Sequence, residues 1–267
     1  MPDVIRGLDD LLRGRKSEPG VLAAGTDHLA ATPHLLMATV LGAIFGVAMG
    51  LYAATTRDPG TPVQLLASAV KVPALFLLSL LVTLPSLLVF NALLGVRLDA
   101  RDMVRAIVAA LVVNLAVLAS FAPILAFFTV CTTSYPAMKL LNVLFFAVAG
   151  AIGAGFFRRL VGRIEQVRSP VAPPPVPPAP GEPAPPASET PRLPVAPAPR
   201  PTPADGRGRS RGLLGVWEVI YILVACQMAW LLRPLVGAPD EPFAWFGERG
   251  GSFLSEFART LRALFGA

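Results

Sequence analysis

Four stretches of this 267-residue chain contain no aspartate, glutamate, lysine or arginine and are long enough to cross a lipid bilayer. They cover residues 35–56, 72–96, 106–138 and 140–157. A helix needs about 20 predominantly apolar residues to span a hydrocarbon core of about 30 Å. Core elements of water-soluble proteins do not need apolar runs of this length, so the sequence predicts four membrane spans.

A fifth apolar segment, residues 213–232, has one acidic residue near its start, Glu218, and is then free of charge. Trp217 and Trp230 lie near its two ends, where interfacial aromatic side chains are common. Helices and closed barrels are the structures that satisfy all backbone hydrogen bonds in lipid. The sequence therefore predicts an all-α integral membrane protein with five transmembrane helices.

A proline-rich segment separates the fourth predicted helix from the fifth. Sixteen of the 34 residues from Pro170 to Pro203 are proline. This composition disfavours a packed core and favours extended polyproline II structure, so we expect a disordered loop. The predicted order is an amphipathic cytosolic segment, a four-helix block, the proline-rich cytosolic loop, the fifth helix and an external tail, covering residues 1–32, 33–160, 161–211, 212–234 and 235–267.

Both ends of the chain contain a short amphipathic pattern. Apolar residues between Val4 and Leu12 follow helical spacing, and we predict a helix that lies either in the membrane interface or against the protein's own cytosolic loops. The end of the tail, residues 252–265, has the same kind of pattern, with Ser252 as its predicted N-cap.

The distribution of basic residues predicts the orientation. With the N terminus in the cytosol, 16 of the 23 lysine and arginine residues fall on the cytosolic side and 7 on the other side. The positive-inside rule favours this arrangement and an external C terminus. It also accounts for the net charge of +6, and no basic cluster is interleaved with aromatic residues, so we expect no nucleic-acid partner. The abundance of alanine, arginine and proline fits a bacterium with a GC-rich genome, and we expect the protein in a bacterial inner membrane.

Small residues recur at helical spacing in two of the predicted spans. Gly42, Gly46 and Gly50 line one face of the first span, and Gly150 and Gly153 lie in the fourth. Such faces let two helix backbones approach closely. They indicate either a homo-oligomer interface or packing against another helix of the same chain.

Three amides lie within predicted spans, namely Asn91, Asn114 and Asn142. They could form one shared polar site or separate hydrogen bonds between helices. Because the predicted topology places them at three different depths, separate bonds are the favoured interpretation.

The sequence contains little that could support catalysis. His28 and His34 both lie at the edge of the first span, and Cys131 and Cys226 have no metal-ligand spacing. Protease, lipase and phosphate-loop motifs are absent from the sequence. We therefore predict that the protein is not an enzyme and needs no cofactor or metal.

The segment after the fifth span combines three prolines with aromatic residues, which is typical of a rigid turn. Such a turn predicts a contact with a protein partner. The alternative is that the rings rest on the bilayer interface or on the helix bundle. The candidate contact residues are Arg233, Pro234, Asp240, Phe243, Trp245 and Phe246.

The tail also carries a resemblance. The segment LRPLVGAPDEPFAWF, followed by GGSFLSEF, resembles the ending of a family of uncharacterised bacterial multi-pass membrane proteins with an LRPxxGxPDxPF-type tail. KVPALFLLSLLVTLPSLLVFNALLG and NLAVLASFAPILAFF are similar to the same family, so the resemblance covers about half of the chain. The five-span count is loosely similar to the Yip1-type membrane fold. The resemblance implies a multi-pass membrane protein and assigns no activity, catalytic residue or binding residue.

Two functions fit these observations. The first is a non-catalytic membrane scaffold or accessory subunit that binds other proteins, which the long loop and the aromatic tail favour. The alternative is a permease or transport subunit, which the proline-containing spans and small-residue faces favour.

Overall fold

The computed structural model describes residues 2–56, 62–93, 99–132, 134–168, 203–236, 245–246 and 253–265. Across these residues the chain is helical and contains no strand. Five of the described helices are long and apolar enough to cross a membrane. The prediction of an all-helical protein with five membrane-spanning helices is confirmed to this extent.

Eight α-helices follow one another along the described chain. They are α1 Pro2–Leu12, α2 Pro19–Ala23, α3 Ala31–Thr56, α4 Pro62–Leu93, α5 Ala100–Cys131, α6 Tyr135–Arg168, α7 Pro203–Leu231 and α8 Phe253–Phe265. Helices α3 to α7 contain the five candidate spans. Proline at the first position of α2, α4 and α7 suits a helix start, where no intrahelical N–H bond is lost.

The ends of α6 and α7 differ from the predicted loop boundaries. Helix α6 continues to Arg168 and α7 begins at Pro203, so both helices enter the segment 161–211. Val161 and Ile164 are buried where α6 packs against α2, which gives the last turns of α6 an apolar contact. Residues 169–202, which hold most of the predicted loop, lie outside the described residues.

Helix α3 occupies the middle of the bundle and packs along both α4 and α5. Helix α5 packs in turn on α6, and α4 packs on α7. Phe146 of α6 reaches two further helices, because its ring lies 5.6 Å from that of Phe45 in α3 and 5.8 Å from that of Phe76 in α4. The core is therefore filled by side chains from α3, α4, α5 and α6, whereas α7 is peripheral.

The glycine face of the first span packs within the chain. A Cβ atom on Gly46 would collide with the backbone carbonyl of Ser68, and one on Gly50 would come within 2.8 Å of Leu65 Cα. Gly42 faces the same helix, α4. These three glycines let α3 and α4 approach closely.

The two glycines named in the fourth span differ from each other. A Cβ atom on Gly153 would lie 2.9 Å from the Cβ atom of Asn114, so Gly153 marks a close approach of α6 to α5. Gly150 has no neighbouring atom within 4 Å of such a Cβ among the described residues.

Around Pro85, an interior proline of α4, hydroxyl and indole groups donate hydrogen bonds to backbone carbonyls. Thr83 Oγ1 donates to the Ser79 carbonyl at 2.8 Å, and Ser86 Oγ donates to the Thr83 carbonyl at 2.7 Å. The Trp217 indole of α7 donates to the same Thr83 carbonyl at 3.3 Å. Trp217 is buried, so the bundle covers the ring that the sequence predicts at the membrane interface.

The segment before α3 covers one end of the bundle, which we call the N-segment end. Asp102 of α5 is buried there, accepts a hydrogen bond from Thr26 Oγ1 at 2.5 Å and forms an ion pair with Arg168 of α6. Arg105 donates to Thr26 Oγ1 at 2.8 Å and pairs with Asp27 at 2.8 Å. This network fixes the segment to α5 and α6.

The amphipathic helix α1 belongs to the same end. Leu11 is fully buried, and α1 contacts α5. The helix therefore packs on α5, whereas the prediction was the membrane interface or the cytosolic loops. The chain after α7 contacts the opposite end of the bundle, which we call the tail end.

Candidate functional site

Three polar side chains of α4 converge at the tail end of the bundle. Gln64, Ser68 and Lys71 follow one another at intervals of four and three residues, which places them on one helix face. All three are buried, with 0%, 0% and 3% of their surface exposed. Buried polar groups need partners, and this face meets the chain immediately after α7.

The partners of these side chains are backbone carbonyl oxygens of the tail. Lys71 Nζ donates to the Pro234 carbonyl at 3.0 Å, and Ser68 Oγ donates to the Leu235 carbonyl at 2.5 Å. Gln64 Nε2 lies 3.5 Å from the same Leu235 carbonyl and 3.2 Å from Ser68 Oγ. Helix α4 thus holds two consecutive carbonyls of the tail and does not depend on the tail's side chains for these bonds.

Two aromatic rings of the tail also lie near this lysine. The Lys71 ammonium is 6.0 Å from the ring centroids of both Trp245 and Phe246, at the outer limit of a cation–π contact. Trp245 is 50% exposed and Phe246 is 62% exposed. The two rings therefore lie near Lys71, a buried residue of the bundle. Half or more of the surface of each ring is still exposed.

Lys71 has no carboxylate within ion-pair distance among the residues that the structure describes. A buried ammonium loses its hydration and needs compensation from nearby dipoles or charges. Here the described compensation comes from the Pro234 carbonyl and the two rings. The position of the tail and the burial of Lys71 therefore depend on each other.

Arg233 lies at the start of this tail. Its Cζ atom is 3.4 Å from the ring centroid of Trp230, so the guanidinium stacks on the last full turn of α7. Arg233, Pro234, Trp245 and Phe246, four of the six predicted contact residues, thus lie together at the tail end. Asp240 and Phe243 lie outside the described residues.

Helix α8 is attached at the same end. Its Glu256 carboxylate pairs with Lys139 at the start of α6 at 2.8 Å and with Arg259 at 3.0 Å. The hydrogen bond from Lys139 lowers the pKa of Glu256 below its ordinary value, although burial opposes this shift. The charged form of Glu256 therefore holds α8 against α6.

The structure does not bring the two described amides, Asn114 and Asn142, together. Asn114 is buried opposite Gly153, whereas Asn142 is buried elsewhere on α6 and donates from Nδ2 to the Met138 carbonyl at 2.9 Å. Gly153 lies about 16 Å along α6 from Asn142. The side chain of Asn91 lies outside the described residues.

Sequence reasoning did not identify Gln64, Ser68 and Lys71. Their spacing on an otherwise apolar helix is a usable signal, because three polar residues on one face of a membrane helix predict a polar contact. The backbone carbonyls that they bind leave no mark in the sequence. The Asp102–Arg168 pair was missed for another reason, since nothing local links residues so far apart in the chain.

The five candidate spans and the packed bundle define a multi-pass integral membrane protein. Comparisons of the chain with protein-family models, with curated proteins and with solved structures find no match. The function is therefore inferred from the geometry of the tail end.

Proposed function

We propose that this protein is a membrane scaffold or accessory subunit that binds a protein partner through Trp245 and Phe246. One observation supports this proposal above the others. The two rings are exposed, yet they lie beside a buried lysine of α4 that binds the backbone of the same tail. A fixed, exposed aromatic pair is the kind of surface that contributes most to protein–protein affinity.

The way the tail is held strengthens the proposal. Since α4 binds the carbonyls of Pro234 and Leu235, the start of the tail is held through its backbone, ahead of Trp245 and Phe246 in the chain. A segment that is ordered before binding loses less conformational entropy when the partner arrives. The cost of association is thereby reduced.

The proposal describes binding and no catalytic step. At the tail end, Lys71 and Glu256 are both engaged in holding parts of the chain, by Pro234 and by Lys139 respectively. Side chains in such roles stabilise a surface. We accordingly propose no cofactor for this site.

The proposed location is a bacterial inner membrane with the N terminus in the cytosol and the tail outside. The excess of basic residues on the other loops supports this orientation. The resemblance of the tail to the bacterial multi-pass family is consistent with it. The partner would then be met on the external side. A reporter that is active only outside the cytosol, fused to the C terminus, tests this placement, and a silent reporter on well-expressed protein would contradict it.

Binding is tested by purifying the tagged full-length protein from its native membrane in mild detergent and identifying stoichiometric companions by mass spectrometry. We expect one companion protein that is lost from the Phe246→Ala variant. Phe127→Ala is the matched control, because Phe127 of α5 is 63% exposed, like Phe246, but is not part of the tail. We expect this control to retain the companion.

A photocrosslinking residue at position 245 provides a second readout. It should link the same companion in intact cells. A protein that purifies alone and yields no crosslink would contradict the scaffold proposal. Stabilisation of the detergent-purified protein by a small solute would then favour the transport alternative.

A further inference from the structure

The charges of α6 define where the membrane boundary lies on this helix. Residues 140–157 carry no charge and are bounded by Lys139 at the tail end and Arg158 at the N-segment end. Eighteen helical residues rise about 27 Å, close to the thickness of a hydrocarbon core of about 30 Å. Arg158 and Arg159 therefore lie at the level of the lipid headgroups.

An exposed apolar stripe on α6 leads to these arginines. Leu144, Val148 and Ile152 are spaced four residues apart and are all exposed. Gly155 and Arg159 continue the same face toward the N-segment end. In a membrane this face meets lipid chains, and its charged end meets a headgroup.

The guanidinium of Arg159 occupies a defined position on this face. Its Nε donates to the Gly155 carbonyl at 3.1 Å, and a Cβ atom on Gly155 would lie 3.4 Å from Arg159 Nη2. The guanidinium thus lies over the surface that the glycine leaves open. Among the described residues no carboxylate lies within ion-pair distance of Arg159.

The neighbouring Arg158 is only partly neutralised. Its Nε lies 3.3 Å from Glu218 Oε1 of α7, and its side chain is 53% exposed while that of Glu218 is 12% exposed. Arg158, Arg159 and Glu218 together carry one net positive charge. Phosphatidylglycerol carries one net negative charge, whereas the quaternary ammonium of phosphatidylcholine cancels its phosphate charge, so one anionic phospholipid would balance these three groups.

We propose that Arg158 and Arg159 bind the phosphate of an anionic phospholipid, with one acyl chain along Leu144, Val148 and Ile152. Arginine is suited to this role because its fork of N–H donors matches phosphate oxygens. Basic groups between membrane helices at the headgroup level bind anionic lipid headgroups in the same way. This site lies at the opposite end of α6 from the tail and does not depend on the scaffold proposal.

The test uses full-length protein in a neutral detergent and native mass spectrometry of the lipids that it retains. Phosphatidylglycerol is compared with phosphatidylcholine, and inorganic phosphate is added as a competitor. We expect preferential retention of phosphatidylglycerol that inorganic phosphate does not displace. Equal retention of the two lipids, or displacement by inorganic phosphate, would overturn the proposal of a lipid site.

Three variants locate the binding. Arg159→Gln should weaken retention of phosphatidylglycerol about fivefold, the effect of removing one basic residue near an anionic surface. Gly155→Val keeps every charge but fills the surface beneath the guanidinium, so it should weaken retention in the same direction. Arg262→Gln removes an exposed arginine from α8 at the tail end and should have no effect.

The outcomes of these variants separate a defined site from diffuse attraction. If Arg159→Gln and Arg262→Gln weaken retention equally, the binding depends on overall charge and the site is wrong. An unchanged Gly155→Val variant would contradict the proposed position of the headgroup. Unfolding temperatures in neutral detergent without added lipid check that each variant is folded.

Discussion

The two ends of the bundle hold their covering segments by a different balance of contacts. At the N-segment end, side-chain pairs predominate, with Asp102 between Thr26 and Arg168 and with Arg105 bound to Asp27, and Arg163 adds one bond to the Ser17 carbonyl. At the tail end, the side chains of α4 bind backbone carbonyls of the tail. Both arrangements bury polar groups, but they place different requirements on the sequence of the segment that is held.

A side-chain pair fixes the identity of both partners, whereas every residue offers a carbonyl. The N-segment end therefore needs Thr26 and Asp27 in their places. At the tail end, the donors of α4 bind the carbonyls of Pro234 and Leu235, so these two bonds do not depend on the side chains of those residues. We infer that the N-segment end is a structural attachment and that the tail end can present side chains such as Trp245 outward.

The largest effect is expected from Asp102→Asn at the N-segment end. The substitution removes the charge that binds both Thr26 Oγ1 and Arg168, and a hydrogen bond to a charged group contributes roughly 1.5 to 3 kcal/mol. Thermal unfolding in detergent measures the change. Asp99→Asn is the matched control, since Asp99 is 79% exposed and lies 3.4 Å from the same Arg168. An exposed pair contributes less than about 1 kcal/mol. Equal effects of the two substitutions would contradict the special role of Asp102.

A smaller but still large effect is expected from Gly46→Ala. The added methyl group would collide with the Ser68 backbone, and overpacking of this kind costs about 2 kcal/mol. Because Ser68 also binds the Leu235 carbonyl, this variant should loosen the tail and leave the N-segment end unchanged. Amide hydrogen exchange at both ends measures this difference.

Gly150→Ala is the control for that substitution. Gly150 has open space around it among the described residues, and alanine is the better helix former. We expect unchanged or slightly raised stability. If both alanine variants are equally destabilised, the close approach of α3 to α4 is not the cause.

Lys71→Met tests the attachment of the tail directly. The Pro234 carbonyl loses a charged donor, a bond worth about 1.5 kcal/mol, while removal of a buried ammonium offsets part of the loss in global stability. We expect amide exchange of Leu235 and Val236, which follow Pro234, to rise about tenfold with a small change in unfolding temperature. Val70→Met introduces the same side chain at an exposed neighbouring position and should not affect the tail. An unchanged tail in Lys71→Met would show that α4 does not hold it.

The membrane helices could be predicted from the sequence, and their contacts could be predicted only in part. Charge-free runs identify the spans because the hydrocarbon core excludes charge along its whole thickness. The spacing of Gly46 and Gly50 predicts a close helix contact, but it contains no information about which helix is the neighbour. Only the folded chain shows that α4 is that neighbour.

The tail shows the same limit. Its aromatic residues predict an exposed contact surface, and Trp245 and Phe246 are exposed. The attachment beneath them could not be predicted, because a backbone carbonyl is present at every residue. The continuation of α6 to Arg168 was also missed, since its last turns gain their apolar contact from α2, more than a hundred residues away in the chain.

The smallest predicted effect concerns pH at the tail end. The pKa of Glu256 is lowered in the folded protein by its bond to Lys139, so the charged form is the bound form. A carboxyl group whose pKa is lowered by folding stabilises the folded protein fully at pH values above the pKa of the unfolded chain, near 4.5. This stabilisation is lost as the pH falls through the lower pKa of the folded protein. The attachment of α8 to α6 should therefore be constant from neutral pH down to about pH 5 and weaken in stronger acid.

Distances between spin labels on α8 and on the first turn of α6 measure this attachment. Glu256→Gln cannot titrate, so the distance in this variant should be insensitive to acid over the same range. Release of α8 near neutral pH would mean that another group controls the contact. Because Pro234 and Leu235 are held through carbonyls that do not titrate, the preceding part of the tail should stay bound when α8 separates. Acid would thus distinguish the two attachments within the tail end itself, one made through a charged side chain and one made through the backbone.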